Sequence, residues 1–418
     1  MALVVQKYGG SSVGSPDRLM AVARRLIAAK ERGDRVVAVV SAMGDVTDEL
    51  LAKARAISAD PPEREMDMLL ATGEQVTIAL LAMAIDTLGH QAISFTGAQA
   101  GIVSDAVHTK ARIQEVRADR MMEALDDGRI VIVAGFQGLT PEGEITTLGR
   151  GGSDTTAVAV AAGLSADVCE IYTDVDGVFT ADPRVESSAR KIDAISYEEM
   201  LEMAATGARV LQLRSVEFAR NHGVVIHVRS SFNDREGTIV KEADETMEQA
   251  IISGVTHDTS EAKVTVRDVP DRPGVAAEVF GRLADANVNV DMIIQNVSEA
   301  GTTDISFTTP KDDLVRATKA VREVVEDLGA REWSVDESIA KVSLVGAGMK
   351  THPGVAALMF RSLADAGVNL DMISTSAIRI SCVIAADQVD IAVRTLHKAF
   401  GLDERSVVAE TSPAAPGR

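Results

Sequence analysis

The segment PGVAAEVFGRLADANVNVDMI at residues 273–293 returns as PGVAALMFRSLADAGVNLDMI at 353–373, at a constant offset of 80 and with most positions identical. Two copies this alike must fold into the same supersecondary unit, so the repeat constrains the second half of the chain before any other feature is weighed. Around each copy the pattern runs strand (262–267; 341–345), Pro-Gly turn, helix, a strand through Asn-x-Asp-Met-Ile, a second strand (303–307; 378–384) and a second helix (311–328; 388–400). That is a βαββα unit of the ferredoxin-like split type, and a final strand is expected to close each copy as βαββαβ. The units are expected at 251–336 and 337–409, with a disordered tail at 410–418.

The first 230 residues have another texture. Continuous or near-continuous apolar runs at 3–8, 36–40, 130–136 and 170–173 suit strands buried on both faces of a sheet. Amphipathic stretches lie between them. In 15–30, Ser15 is suited to cap a helix, Pro16 to its first position and Asp17 to its positive end. Leu19, Val22, Ala23, Leu26 and Ile27 then share one face, and Gly33 follows the end. Alternating strands and helices predict a three-layer αβα domain over 1–230 with a mostly parallel sheet. The polar, acidic stretch 231–250 reads as a linker, and Met247 within it leaves room for an internal start that yields the second half alone.

Composition narrows the function. Asp plus Glu number 62 against 42 Lys plus Arg, a formal charge of -20, so the surface repels a phosphate backbone. Aromatic residues are 3%, too few for base-stacking platforms, and no nucleic-acid partner is expected. Cys169 and Cys382 lie far apart without a partner motif, which argues against a disulfide scaffold or a Cys-rich zinc site. The opening MALVVQKYGG lacks a signal-peptide pattern, and the most apolar stretch, 78–85, is shorter than the roughly 18 residues of a membrane span. A soluble cytoplasmic protein without a membrane partner is expected.

Four segments carry candidate chemistry. Lys7-Tyr8-Gly9-Gly10-Ser11-Ser12 follows the first strand, where paired glycines let backbone N–H groups approach an anion and Lys7 supplies a point charge. A tight strand-to-helix turn with a solvated lysine would have the same spacing. Residues 147–156, TLGRGGSDTT, open a helix; Arg150 suits a carboxylate, and Asp154 is placed as the helix cap. Residues 172–184 hold Asp174, Asp176 and Asp182 among turn formers, fit either for a Mg-nucleotide or for two consecutive turns. Ser41-Ala42-Met43-Gly44 follows the second strand, and Thr72-Gly73-Glu74 interrupts an apolar helix, where the glutamate suits either a substrate ammonium or a partly exposed place on a broken helix. The seven histidines form no metal motif, and no G-x-S-x-G elbow occurs.

K-Y-G-G-S-S-V, S-A-M-G, T-G-E, T-L-G-R-G-G-S-D-T-T-A and Y-T-D-V-D-G-V…T-A-D-P-R appear in order, and together they resemble the aspartokinase family of the amino-acid kinase superfamily. The repeat resembles the tandem ACT domains of that family. The resemblance implies phosphorylation of the β-carboxylate of L-aspartate by ATP with Mg²⁺, giving 4-phospho-L-aspartate. This is the first step toward lysine, diaminopimelate, threonine and methionine.

By motif, Lys7 and Asp154 are then catalytic. Lys7, Tyr8, Gly9, Gly10, Ser11, Thr173, Asp174, Thr180, Asp182, Arg184 and Arg209 are nucleotide contacts, and Arg209 stands where the family often has Lys. Ser41, Thr47, Glu74, Arg150, Gly151, Gly152 and Ser153 hold aspartate. Lysine, threonine or both are implied as effectors at Asp271, Gly274, Val275, Ala276, Asn289, Asp291, Gln295 and Asn296, with Val355, Asn369, Leu370 and Asp371 from the second copy. The second copy carries Thr351 and His352 where the first has Asp271 and Arg272, so the two sites should differ in affinity. A dimer or tetramer through the ACT domains is expected. A glutamate or uridylate kinase and a nonenzymatic amino-acid sensor are the competing readings. Which Asp touches the metal stays open.

Overall fold

A computed structural model of the chain describes residues 1–244, 251–297 and 301–403. It divides into two units. The first holds Met1–Val178, Lys191–Ala205 and the chain from Arg209 through the strand Thr238–Lys241; the second holds Phe179–Arg190, Thr206–Ala208 and the described residues from Ile251 on.

The first unit is built on an eight-stranded sheet. Its order is Ala194–Ser196, Thr238–Lys241, Ile226–Ser230, Val168–Thr173, Leu3–Tyr8, Arg35–Val40, Ile130–Ala134 and Ala92–Phe95. Every neighbouring pair is parallel except Ile226–Ser230 with Thr238–Lys241. The mostly parallel sheet is as expected, and its central strands are buried on both faces because the crossover helices cover them. The Pro16–Glu31 helix forms as its sequence predicts: Ser15 Oγ accepts the Arg18 N–H at 3.3 Å, and Leu19, Val22, Ala23, Leu26 and Ile27 are buried. Together with Ile78, Leu81, Ile85 and the inward residues of four strands they make one core cluster. A second small sheet, Ile113–Val116, Ile102–Ser104, Gln137–Leu139 and Ile145–Thr147 in spatial order, has strands of three or four residues, too short to leave a periodicity in the sequence.

Two boundaries differ from the sequence expectation. Thr238–Lys241 lies inside the stretch read as linker, yet it is a strand of the main sheet: an isolated Ile-Val pair in polar sequence pairs with Ile226–Ser230. Met247 lies outside the described residues. The stretch Glu63–Thr87 is long and apolar enough to cross a membrane by length and composition, longer than the apolar run at 78–85 suggests. Here it packs on the Pro16–Glu31 helix and on the strands Ala92–Phe95 and Ile130–Ala134.

The second unit holds both copies of the repeat. The first copy forms the sheet Ile293–Val297, Thr302–Pro310, Glu261–Pro270, Glu332–Asp336 in spatial order; the second forms Gly254–Asp258, Ile339–Val345, Arg379–Ala385, Met372–Thr375. All pairs are antiparallel. The helices Val275–Asp285 and Leu314–Leu328 cover one sheet's core, Val355–Asp365 and Val389–Ala399 the other's. The second copy is closed by Gly254–Asp258, which precedes the first copy in sequence, so the first module is inserted into the second. A closing strand carries no repeat signature, and the sequence therefore assigned 251–258 to the wrong module. Cys169 and Cys382 are free, buried and in strands.

Candidate active site

Adjacent parallel strands end side by side at Thr173, Tyr8, Val40 and Ala134; three of the four candidate segments leave from those ends, and the fourth, 147–156, leaves the small sheet at Thr147. Open parallel sheets bind ligands at this edge.

Lys7 is the last polar residue of its strand. Its Nζ lies 2.5 Å from Asp154 Oδ1, and both side chains are largely buried. A Cβ on Gly9 would sit 3.4 Å from that ammonium, so the glycine leaves open the space over the charge. Gly10 opens a one-turn helix, Gly10–Val13, that precedes the Ser15 cap. A Cβ there would come within 2.9 Å of the Ala42 carbonyl oxygen, and the Gly44 N–H donates to the Gly10 carbonyl at 3.1 Å. The K-Y-G-G and S-A-M-G segments are thus packed backbone to backbone. Ser11 is exposed, and its carbonyl accepts from Arg18 Nη1 at 2.6 Å. The side chain of Tyr8 turns away into the core, stacked on Tyr172 at 4.8 Å with its hydroxyl donating to Gln6 Oε1. Only the backbone of Tyr8 faces the site.

Glu74 explains the interrupted helix. A Cβ on Gly73 would meet Ala42 Cβ at 2.9 Å, so glycine is what lets the helix Thr72–Thr87 approach the S-A-M-G segment. The Ala42 N–H donates to Glu74 Oε1 at 3.1 Å, while Glu74 Oε2 is buried without a hydrogen-bond partner. Burial pushes this carboxyl up to about 7, against the pull of its two backbone hydrogen bonds. A buried carboxylate oxygen with no partner is the form a receiver for a substrate cation takes. Ser41 and Thr47 flank Ala42 in sequence and are half-buried, Ser41 after its strand and Thr47 in the first turn of the helix Val46–Ile57.

The T-L-G-R-G-G-S-D segment enters the helix Gly152–Gly163. Gly151 is its N-cap, in the left-handed region at φ 71°, and no side chain caps this end. Asp154 is therefore not the cap expected from sequence: it sits in the first turn and its carboxylate is committed to Lys7. Ser153 and Gly152 are buried. Arg150 is exposed and makes no hydrogen bond or ion pair among the described residues.

The remaining candidates separate. Thr173 Oγ1 donates to Asp174 Oδ1 at 3.1 Å, and Asp174 is exposed at the strand end. Asp176 is taken by Asn233 and Arg235, which hold its carboxyl below the usual range. Thr180, Asp182 and Arg184 belong to the second unit. There Thr180 is buried with its hydroxyl 2.9 Å from His397 Nε2, and Arg184 grips Asp182 with Nη2 to Oδ2 at 2.7 Å. Arg209 is exposed in the first unit. Among the described residues no three His, Cys, Asp or Glu side chains gather as a metal cage would.

In the second unit Asp271, Gly274, Ala276, Asn289, Gln295, Asn296 and Asn369 are exposed, Val355 and Leu370 are half-buried, and Val275 is buried. Asp291 and Asp371 are engaged: Asp291 pairs with Lys341 and Asp371 with Lys263. The sequence reading missed Glu170 as well. Its carboxylate accepts from Gln6 Nε2 at 2.7 Å, Tyr172 Oη at 3.1 Å and Arg229 Nη1 at 3.0 Å beneath the first strand. The glutamate inside an apolar strand run was the available signal.

The sequence model of the amino acid kinase family matches residues 2–230, and ACT domain models match 264–326 and 342–400. The chain is 57% identical over 415 residues to the aspartokinase of Mycolicibacterium smegmatis, across 98% of this chain and 99% of that one. It belongs to the aspartokinase family. Its activity is that of an aspartate kinase. The aspartokinase of Corynebacterium glutamicum is 54% identical over 419 residues, with 98% and 100% covered. Among solved structures, E. coli aspartokinase III in complex with aspartate and ADP, in its R-state, superposes with a TM-score of 0.81 at 26% identity over 95% of this chain and 99% of that one. The complex with lysine and aspartate, in its T-state, gives 0.75 at 26% identity with the same coverage.

Proposed function

We propose that the chain transfers the γ-phosphoryl group of ATP to the β-carboxylate of L-aspartate, and that its ACT pair reads lysine, threonine or both as end-product signals. The observation that carries the first half is the buried pair Lys7–Asp154 at the strand edge, with the open oxygen of Glu74 and the uncommitted Arg150 on neighbouring segments. Glu74 Oε2 receives the aspartate ammonium and Arg150 its α-carboxylate, with Ser41, Thr47, Gly151, Gly152 and Ser153 completing the acceptor site. The β-carboxylate is ionised at neutral pH, so it attacks the γ-phosphorus without a general base. The bond to the β-phosphate oxygen breaks and ADP leaves. Lys7, held in place by Asp154, neutralises the charge that accumulates on the transferring oxygens. Gly9, Gly10 and Ser11 cradle phosphates by their backbone, and Thr173 and Asp174 lie at the nucleotide end of the same edge.

Mg²⁺ would be held by the phosphates of ATP and by single carboxylates at the strand edge, with Asp174 exposed there, and would neutralise phosphate charge. For the second half, the lysine complex of the E. coli relative supports an amino-acid effector, and the exposed Asp271, Asn289, Gln295, Asn296 and Asn369 are its candidate contacts here. Assembly through the ACT modules, a cytoplasmic setting and a place at the head of the lysine, threonine and methionine routes belong to the same proposal.

Lys7→Met tests the catalytic assignment. Its kcat should fall about 100- to 1000-fold with the fold intact by circular dichroism, as for loss of a fixed transition-state charge. Near-normal turnover would refute it. Glutamate and UMP as acceptors discriminate the other kinase readings, and both should support no ADP release.

A further inference from the structure

A second buried carboxylate lies on the same helical stretch as Glu74. Asp67 is wholly buried and stands seven residues before it, in the helix Glu63–Leu70 that leads through Ala71 into the helix of Glu74. Unlike Glu74, it is saturated. Thr147 Oγ1 donates to Asp67 Oδ1 at 2.5 Å, the Thr109 N–H donates to both oxygens at 3.1 Å, and His108 Nδ1 lies 2.7 Å from Oδ2. All three partners brace the segment that carries Arg150. Thr147 begins it. Thr109 sits in the left-handed region at φ 63°, unusual for a β-branched residue, and its carbonyl lies 3.0 Å from where a Cβ on Gly149 would be. From the other side Arg214 donates to the Leu148 carbonyl at 2.7 Å and to the Ala111 carbonyl at 2.9 Å. Among the described residues Arg214 pairs with no carboxylate; its Nη1 and Nη2 serve two backbone oxygens. Gly151 closes on Gln212, at the foot of the same helix.

We propose that Asp67 and Thr147, assisted by Arg214, are positioning residues for Arg150. One stretch of helix receives the acceptor's ammonium at Glu74 and, through Asp67, fixes the segment whose arginine receives the α-carboxylate. The span between the two receivers, and with it aspartate affinity, is set by the Asp67–Thr147 bond. This rests on the reading of Arg150 as a carboxylate ligand.

The test is steady-state kinetics on the full chain. Thr147→Val keeps the shape and removes the donor. It should raise the KM for aspartate about tenfold, as for one charge-assisted hydrogen bond. kcat at saturating aspartate and the KM for MgATP should stay within about twofold. Thr147→Ser, which restores the donor, should recover the wild-type KM. Asp67→Asn should resemble Thr147→Val. In an Arg150→Gln background Thr147→Val should add little, because the group it positions is already gone. The proposal is overturned by an unchanged KM for aspartate, by equal losses in kcat and both KM values, or by full additivity with Arg150→Gln. If Arg150→Gln itself leaves the KM unmoved, the carboxylate reading fails first and this inference with it. Arg214→Lys repeats the comparison should Thr147→Val fail to fold.

Discussion

Glu74 is held in a state that suits the ammonium proposed for it better than its own fold. Its carboxyl titrates near 7 in the folded chain against 4.5 for the free side chain. Between those values the folded chain keeps a proton that the unfolded chain has released, so stability falls as pH rises through this window and the whole penalty is present above pH 7. The difference corresponds to about 3 kcal/mol. Glu74→Gln should therefore melt higher than the wild type at pH 8, with the gain gone near pH 4.5, while its KM for aspartate rises about tenfold or more. Equal melting temperatures at pH 8 would contradict the burial argument. The wild-type kcat/KM for aspartate should climb through about pH 7 as the carboxylate ionises. Glu74 was legible because glycine and glutamate have no packing reason to interrupt an apolar helix. Asp67 was not: an aspartate among Glu63, Arg64, Glu65 and Met66 has the pattern of a solvated face, and only the fold shows that its partners arrive from residues 108, 109 and 147.

At the scale of elements, the glycines of K-Y-G-G and T-G-E serve close approach as much as anion binding. Gly10 and Gly73 both touch Ala42, one through its carbonyl and one through its Cβ. The S-A-M-G segment is thereby clamped between the first helical turn and the helix that carries Glu74. Gly10→Ala must push backbone against backbone, since its clashing neighbours are the carbonyl oxygens of Ala42 and Gly44. It should lower stability by about 1–3 kcal/mol in urea unfolding; an unchanged midpoint would show that the contact yields freely. The helix Gly152–Gly163 teaches the reverse lesson. Its sequence offers Asp154 as a cap, yet the left-handed Gly151 ends the loop and releases Asp154 to meet Lys7, 147 positions away. Local capping rules cannot see a partner that only the sheet brings near. The central strands were legible because burial on both faces makes them continuous apolar runs; Thr238–Lys241 and the small sheet were not, because so few residues carry no period.

At the scale of the whole molecule, the repeat disclosed two like modules but not how they join. Lys263 and Lys341 occupy matching places in A-K-V-T-V and A-K-V-S-L, and each pairs with the aspartate of the other copy's Asn-x-Asp-Met-Ile segment. Met292 and Met372 of those segments share one core cluster with Ile339 and Val383. The motif residues therefore build the seam between modules, and Asp291 and Asp371 reach an effector only by yielding a lysine. Lys341 is 1% exposed and also meets Glu261 at 2.7 Å. Lys341→Ala leaves two carboxylates without their cation and should destabilise the second unit by about 3–5 kcal/mol; a loss under about 1 kcal/mol in calorimetry would mean that water replaces the lysine. Both proposed halves of the function meet in one assay: ADP release from MgATP and L-aspartate, with and without millimolar lysine and threonine. The account predicts aspartate-dependent release that the effectors suppress. Release indifferent to both amino acids would contradict the regulatory reading of the ACT pair, and no aspartate-dependent release would contradict the account at its root.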